Sequence, residues 1–227
     1  LEGSAAEYAE GTILSAVGPV ERLARQSATR PPLVLIGERS GAWVADHIGI
    51  DDVAAASAAT THLIAAGRRR IAFIGADPAN SLRMAEMRHR GYRDALRAAG
   101  RSVDDALVVQ TASYHRADGA AAMESLLRAG RAPDAVFCAT DLLALGALRS
   151  VRPDDIAVIG FDGLEEGEYS APALSTVAPD KQGIATMAVD TLLARIEART
   201  QGAAQPQPRD IVIPFSLVVR ESSGLAR

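Results

Sequence analysis

Four side chains are suited to binding a small polar molecule: Tyr114, Thr140 and Asp162, which follow apolar runs of the sequence, and Arg88, which lies in a helical segment. A guanidinium offers a rigid fork of donors that fits neighbouring hydroxyl groups or a carboxyl group. The face of a tyrosine ring stacks on the C–H face of a sugar or on a planar base. A carboxylate such as that of Asp162 accepts hydrogen bonds from two hydroxyl groups. Together these residue types predict a site for a small polar ligand.

Each of these residues also has a plainer interpretation. Arg88 fits a solvated helix arginine, and Tyr114 lies in a polar context typical of a half-buried surface tyrosine. Asp162 has the residue type that often caps a turn or a helix. Asp141 directly precedes the apolar segment LLALGALR, so we expect it to cap that helix rather than to bind a ligand.

Sequence patterns for catalysis and for metal binding are missing. The chain has no G-x-S-x-G, no G-x-x-x-x-G-K-[ST] and no G-x-G-x-x-G after a strand. Its four histidines lack the spacing of metal ligands, and the single Cys138 lies in an apolar strand, as expected for an inert core thiol. The sequence therefore predicts a binding protein rather than an enzyme, with no metal and no cofactor.

Alternating strands and helices must position the four side chains. Strands are predicted at 12–17, 33–37, 47–51, 70–75, 107–111, 135–140, 156–162 and 211–219. Helices are predicted at 19–26, 52–66, 82–99, 117–129, 142–151 and 181–200, three of them ending at Gly67, Gly100 and Gly130. Repeated βα units predict parallel sheets covered by helices on both faces. Since such sheets bind ligands beyond the carboxyl ends of their strands, we expect the four side chains to share one rim.

Composition limits the classes of function. The 227 residues are 48% hydrophobic, only 4% aromatic and carry a formal net charge of −4. An acidic balance is unlike that of a surface that neutralises DNA phosphates, so we expect no DNA binding by this chain alone. No apolar run approaches the roughly 20 residues of a membrane span, and residues 1–10 carry no apolar export signal. These features predict a cytoplasmic protein that does not contact a membrane.

Seven segments occur in a characteristic order and spacing: LVLIGER (33–39), HLIAAGRRRIAFIG (62–75), RGYRDALRAAG (90–100), AVFCATDLLALGALR (135–149), IAVIGFDG (156–163), PALSTV (172–177) and VVRESS (218–223). In this arrangement residues 12–223 resemble the effector-binding domain of lactose-repressor-family transcriptional regulators. The resemblance implies a two-lobed, periplasmic-binding-protein-like α/β fold of type I, with parallel sheets flanked by helices. It implies an incomplete N-terminal lobe from residues 1–51 and 178–213, a C-terminal lobe from 52–177 and 214–223, and a tail at 224–227.

The same resemblance implies roles for the four residues. Arg88 matches an arginine that contacts the effector, Tyr114 an aromatic that stacks on it, and Asp162 an acid that binds its hydroxyls or ring nitrogens. Thr140 stands where relatives often have Asn. The resemblance implies the ligand-sensing domain of a repressor that binds a small effector, such as a sugar, between its lobes. It further implies a homodimer that binds operator DNA through a helix-turn-helix absent from this chain. The alternative is a solute-binding protein of a sugar transport system.

Overall fold

Residues 9–16, 31–37, 45–77, 83–151 and 155–224 are described by the structure, a computed structural model. The helix predicted at 19–26 lies outside them. The chain divides into two units, a smaller one of residues 1–50 and 180–214, and a larger one of residues 51–179 and 215–227. Each unit is therefore assembled from segments that are separated in sequence.

The smaller unit contains a parallel sheet and one long helix. Its strands are β1 (Thr12–Ala16), β2 (Leu33–Gly37), β3 (Asp46–Gly49) and β9 (Asp210–Val212), paired in the order β1-β2-β3-β9. Helix α6 (Lys181–Thr200) packs on this sheet, and Val34, Ile48, Ala188 and Ile213 form the buried cluster between them. Asp180 caps α6 by accepting a hydrogen bond from the backbone N–H of Gly183 at 2.8 Å.

The larger unit is built on a six-stranded sheet with strand order β10-β8-β7-β6-β4-β5. Its strands are β4 (Ile71–Ala76), β5 (Val108–Gln110), β6 (Ala135–Cys138), β7 (Ala157–Phe161), β8 (Ser175–Pro179) and β10 (Phe215–Val218). Its helices are α1 (Asp52–Ala65), α2 (Arg83–Ala98), α3 (Arg116–Arg128), α4 (Asp141–Leu148) and the short α5 (Glu165–Glu168). Every residue of β4, β6 and β7 is buried, as expected for strands covered on both faces.

Glycine residues end three of the helices and allow two others to pack closely. Gly67, Gly100 and Gly130 have positive φ angles of 83°, 71° and 66° and end their helices, as the sequence predicts. Helices α3 and α4 approach closely enough that a methyl group at Gly146 would overlap the carbonyl oxygen of Arg116. Glycine at that position therefore permits the contact that sets the spacing of α3 and α4.

The predicted α/β class is confirmed, but two strand predictions are wrong. The single strand predicted at 211–219 is two strands, β9 and β10, that belong to different sheets on either side of Pro214. Proline has no backbone N–H to donate to a ladder, so the continuous strand is interrupted there. Strand β8 was not predicted at all, and it pairs with β7 in parallel and with β10 in antiparallel orientation.

Candidate functional site

The carboxyl ends of β7, β6, β4 and β5 form one edge of the larger unit's sheet, because these neighbouring strands are parallel. Asp162 directly follows β7, Thr140 lies two residues after β6, and Tyr114 lies four residues after β5. The predicted site residues other than Arg88 therefore follow strands that end at a shared edge. Arg88 reaches the same edge from α2.

Arg88 is buried and is held by hydrogen bonds on two of its nitrogens. Its Nε donates to Asp52 Oδ1 at 2.8 Å. Its Nη1 donates to the carbonyl oxygen of Ala139 at 2.6 Å and to Asp162 Oδ1 at 3.2 Å. The guanidinium carbon lies 3.5 Å from the centroid of the Phe161 ring, a cation–π arrangement. The structure thus brings Arg88 and Asp162 together, and Arg88 is not the solvated helix arginine of the plainer interpretation.

Asp52 is a site residue that the sequence analysis missed. It is the first residue of α1, and its side chain is 11% exposed in its ion pair with Arg88. The preceding Asp51 caps the helix, accepting a hydrogen bond from the backbone N–H of Ala54 at 3.0 Å. The sequence signal that could have identified Asp52 is its position next to Asp51 at the start of a helix. Only one of them acts as the cap, which leaves the other carboxylate for a different partner.

Asp162 has an unusual backbone. Its φ is +113°, and among the described residues it alone combines a side chain with a positive φ. Non-glycine residues rarely adopt such angles, and the strain is found most often at functional sites. The backbone N–H of Asp162 donates to the carbonyl oxygen of Val177 at 2.9 Å, which fixes the residue against β8. Leu164, not Asp162, is the N-cap residue of α5.

Thr140, not Asp141, caps helix α4. Thr140 is the N-cap residue of α4, and its Oγ1 accepts a hydrogen bond from the backbone N–H of Leu143 at 3.2 Å. The expectation that Asp141 caps this helix is wrong. Its fully buried carboxylate accepts from the backbone N–H of Leu164 and from Thr176 Oγ1, both at 2.7 Å. Asp141 therefore ties the loop after β7 to α4, while the Thr140 hydroxyl keeps a hydrogen to donate.

Tyr114 lies in a short loop whose shape is set by Asp118. The Asp118 carboxylate accepts from Ser113 Oγ at 2.5 Å and from the backbone N–H of His115 at 3.1 Å, so it binds the residues on both sides of Tyr114. The hydrogen bond from Ser113 lowers the pKa of Asp118 and keeps it ionised. Tyr114 is half-buried. The hydrogen bonds and ring contact of Arg88 do not include it, so Tyr114 stands at the same edge without joining the Arg88 cluster.

A cavity of about 320 Å³ lies elsewhere, beside the edge strand β5, and its lining includes Glu86, His89 and Asp105. None of the four predicted site residues lines it. Burial and the nearby Arg93 lower the pKa of His89. We place the candidate site at Arg88 rather than at this cavity. A buried ion pair and the strained backbone of Asp162 both cost folding free energy, and a binding function accounts for that cost.

Neither a metal site nor a membrane-spanning helix occurs among the residues that the structure describes. No group of three or more His, Cys, Asp or Glu residues there is arranged to hold a metal ion. No helix among the described residues is long and apolar enough to cross a bilayer. Cys138 is fully buried, and burial raises the pKa of its thiol, in agreement with an inert core position.

Comparison with known proteins identifies the family. Residues 60–223 match a family model described as a periplasmic binding protein-like domain. A solved LacI-family transcriptional regulator from Sanguibacter keddieii is 42% identical, with a TM-score of 0.82, and the match covers 95% of this chain and 78% of that one. The chain belongs to the LacI family. The predicted resemblance to lactose-repressor-family regulators is therefore confirmed.

Other LacI-family relatives are regulators of transcription as well. The HTH-type regulator CelR of Thermobifida fusca is 36% identical over 182 residues, which are 78% of this chain and 51% of CelR. The ribose operon repressor of Haemophilus influenzae is 32% identical over 170 residues, 72% of this chain and 49% of that repressor. A solved CelR–cellobiose complex is 30% identical with a TM-score of 0.84, covering 95% of this chain and 66% of that one. The chain spans about half the length of CelR and of the ribose operon repressor.

Proposed function

We propose that this chain is the effector-sensing domain of a transcriptional repressor, and that Arg88, Asp162, Tyr114 and Thr140 bind a small polyhydroxylated effector. The observation that carries the proposal is the buried Arg88, held over Phe161 by Asp52, Asp162 and the Ala139 carbonyl. A guanidinium fixed in this way loses little freedom when a ligand binds, so each hydrogen bond to the ligand contributes more to affinity. The solved complex of CelR with cellobiose and the name of the ribose operon repressor support a sugar as the effector.

The four side chains would contribute different kinds of interaction. Arg88 donates to ring or hydroxyl oxygens, and Asp162 accepts from hydroxyl groups, so both depend on where the ligand's hydroxyls lie. The Thr140 hydroxyl donates one further hydrogen bond. The ring of Tyr114 stacks on the apolar face of the sugar, which tolerates differences between sugars. Polar contacts thus set specificity, and stacking contributes affinity.

The test is a calorimetric titration of a panel of sugars that includes cellobiose, ribose, glucose and galactose, on the intact protein that contains this chain. Arg88→Ala should lose most of the affinity. Asp162→Ala should lose discrimination between epimers. In the wild type, a ligand without the matching hydroxyl covers the Asp162 carboxylate and leaves it unpaired, at a cost of about 1–3 kcal/mol, and the variant has no such penalty. Tyr114→Ala should weaken all ligands alike.

Arg90 offers a matched control on the same helix. It is exposed, at 68%, and its Nε lies 3.6 Å from Asp94 Oδ2 in a surface ion pair. Arg90→Ala removes the same side chain two residues away from Arg88 and should leave every affinity unchanged. Normal binding of the best ligand by the Arg88, Asp162 and Tyr114 variants would place the binding site elsewhere and refute the assignment.

For the whole protein we propose a cytoplasmic homodimer that binds operator DNA through a helix-turn-helix outside this chain, and that has no catalytic activity. An operator with two-fold symmetry needs a protein with the same symmetry. A gel-shift assay should find no sequence-selective binding by these 227 residues. Sedimentation of the intact protein at micromolar concentration should give a dimer mass, and a monomer mass would contradict the proposed assembly. We do not favour the transport alternative, because the relatives named above are regulators of transcription.

A further inference from the structure

We propose that Asp141 and Thr176 are positioning residues, which hold Asp162 in the conformation that distinguishes one sugar from another. This inference rests on the proposed function, in which the Asp162 carboxylate accepts hydrogen bonds from the ligand's hydroxyl groups. Asp141 and Thr176 are 0% and 1% exposed, so they act without touching the ligand. Their effect reaches the ligand through the backbone of the loop that follows β7.

The loop after β7 has a backbone that needs support. Asp162, with its φ of +113°, is followed by Gly163, whose φ is +60°. A residue with a side chain is strained at a positive φ, and such a conformation persists only where the surrounding structure holds it. Without that support, Asp162 would relax to a more common backbone angle, and its carboxylate would point in another direction. The direction of this carboxylate therefore depends on the residues that hold the loop.

The two residues after Asp162 are held by side chains of neighbouring elements. The backbone N–H of Gly163 donates to Thr176 Oγ1 at 3.2 Å, and that of Leu164 donates to Asp141 Oδ2 at 2.7 Å. Thr176 Oγ1 in turn donates to Asp141 Oδ1 at 2.7 Å. A hydroxyl group can accept one hydrogen bond while it donates another. The two positioning residues therefore form one hydrogen-bonded unit, which fixes the chain directly after Asp162.

Gly160 makes room for the Asp141 carboxylate. It lies in β7, and a methyl group added there would overlap Asp141 Oδ1. Asp141 is also the first residue of α4, directly after Thr140, which is one of the proposed ligand contacts. Its carboxylate thus connects Thr140 at the end of β6 with Asp162 at the end of β7. Because recognition of hydroxyl positions requires polar groups at fixed separations, this connection should control specificity more than affinity.

Thr176→Val tests the inference, because valine has nearly the shape of threonine but no hydroxyl group. Calorimetry on the intact protein gives the ratio of affinities within pairs of epimers, namely glucose with galactose, ribose with arabinose, and cellobiose with lactose. We expect the ratio of the best-binding pair to fall at least ~fivefold, the lower end of what one matched polar contact contributes. The affinity for the preferred epimer should account for this change, because stacking on Tyr114 involves a different loop.

Two variants of β8 serve as comparisons. Thr176→Ser keeps the hydroxyl that bonds Gly163 and Asp141, so it should retain the wild-type ratio. Ser175→Ala is the matched control, because it also removes a fully buried hydroxyl, one that donates to the carbonyl oxygen of Arg220 at 3.1 Å. Adjacent residues of a strand point to opposite faces of the sheet, so Ser175 does not support the loop after β7. Ser175→Ala should lower the unfolding temperature and leave the ratio unchanged.

Hydrogen exchange tests the inference in the wild-type protein, which covers the case that Thr176→Val does not fold. Without ligand, the backbone amides of Gly163 and Leu164 should exchange as slowly as those of the buried strand β7, although they belong to a loop. In Thr176→Val, exchange of the Gly163 amide should be faster. Fast exchange of both amides in the wild-type protein would overturn the inference.

The outcomes separate this inference from the proposed site. A ratio that falls in Thr176→Val and is retained in Thr176→Ser and Ser175→Ala supports both. An unchanged ratio in Thr176→Val, an equal fall in either comparison variant, or a wild-type protein that binds epimers equally overturns the positioning role. In these cases the effector site still stands if Arg88→Ala abolishes binding. Absence of binding by every sugar tested, or binding that Arg88→Ala does not affect, overturns the proposed site and the inference together.

Discussion

Replacing Arg88 by methionine tests whether Arg88 and Asp52 interact as a buried ion pair. Methionine keeps an unbranched apolar side chain but removes the charge over Phe161 and the donors to Asp52, Ala139 and Asp162. The Asp52 carboxylate, 11% exposed, would then be buried without its partner. Breaking a buried pair from one side costs about 3–5 kcal/mol, whereas a surface pair is worth at most about 1 kcal/mol.

The expected loss is large enough to measure by urea denaturation. With a slope of about 2 kcal/mol per molar urea, the midpoint of the larger unit's transition should fall by about 1.5–2.5 M. The double variant Arg88→Met, Asp52→Asn should recover much of this loss, because the amide is far less costly to bury than a charge. It should not recover all of it, since the Ala139 carbonyl still lacks its donor, at about 1–3 kcal/mol.

Arg90→Met provides the control, because its exposed side chain should change stability by less than about 0.5 kcal/mol. The reasoning would be refuted if Arg88→Met moved the midpoint no more than Arg90→Met, or if the effects of Arg88→Met and Asp52→Asn simply added. Either result would mean that Arg88 and Asp52 do not interact as a buried pair.

Three further predictions concern the scaffold. Gly146→Ala should cost at least about 1–3 kcal/mol and lower the Tm by several degrees, because its methyl overlaps the Arg116 carbonyl; an unchanged Tm would contradict the close helix contact. Since the pKa of His89 is lowered in the folded chain, its contribution to stability is complete above its ordinary pKa of about 6.5 and is lost as the pH falls below that value. His89→Gln should therefore weaken the fall in the urea midpoint between about pH 7 and pH 5, and an identical pH profile would exclude this role. Thr140→Ala should lose about 1 kcal/mol of unfolding free energy while Thr140→Ser keeps it, and equal stability of the two variants would mean that the hydroxyl does not cap α4.

The sequence predicts the position of Arg88 and Asp162 well because simple rules apply to both. Asp162 ends a fully apolar run, which indicates a buried strand and places the residue at the carboxyl edge of a parallel sheet. Arg88 belongs to α2, the helix that follows β4, and β4 is separated from β7 by β6 alone. Asp52 could not be found in the same way, because its partner is 36 residues further along the chain and nothing local distinguishes it from the capping Asp51.

Strand β8 is missed because its local pattern is weak, and the α4 cap is wrongly assigned to Asp141 because the contacts that decide the assignment are long-range. Strand β8 reads STVAP, a short segment with little apolar content that ends at Pro179, so it lacks the pattern of a buried strand. Thr and Asp are both good N-cap residues, and an adjacent pair gives two possible helix starts one residue apart. The buried hydrogen bonds of Asp141 to Thr176 and Leu164 decide between them, and they are long-range contacts.

Strand β10 is the last strand of the larger unit's sheet to be synthesised. Residues 51–179 of the larger unit are followed on the ribosome by residues 180–214 of the other unit, and only afterwards by the strand Phe215–Val218 that pairs with β8. Until then the outer edge of β8 exposes unpaired backbone groups, the feature that promotes pairing between nascent chains. Until residue 222 has been synthesised, the backbone N–H of Val158 also lacks its acceptor, the carbonyl oxygen of Ser222. A ribosome paused near residue 214 would therefore hold an aggregation-prone intermediate whose sheet has five strands. Chaperone binding would be most useful at this stage, while the edge of β8 is unpaired.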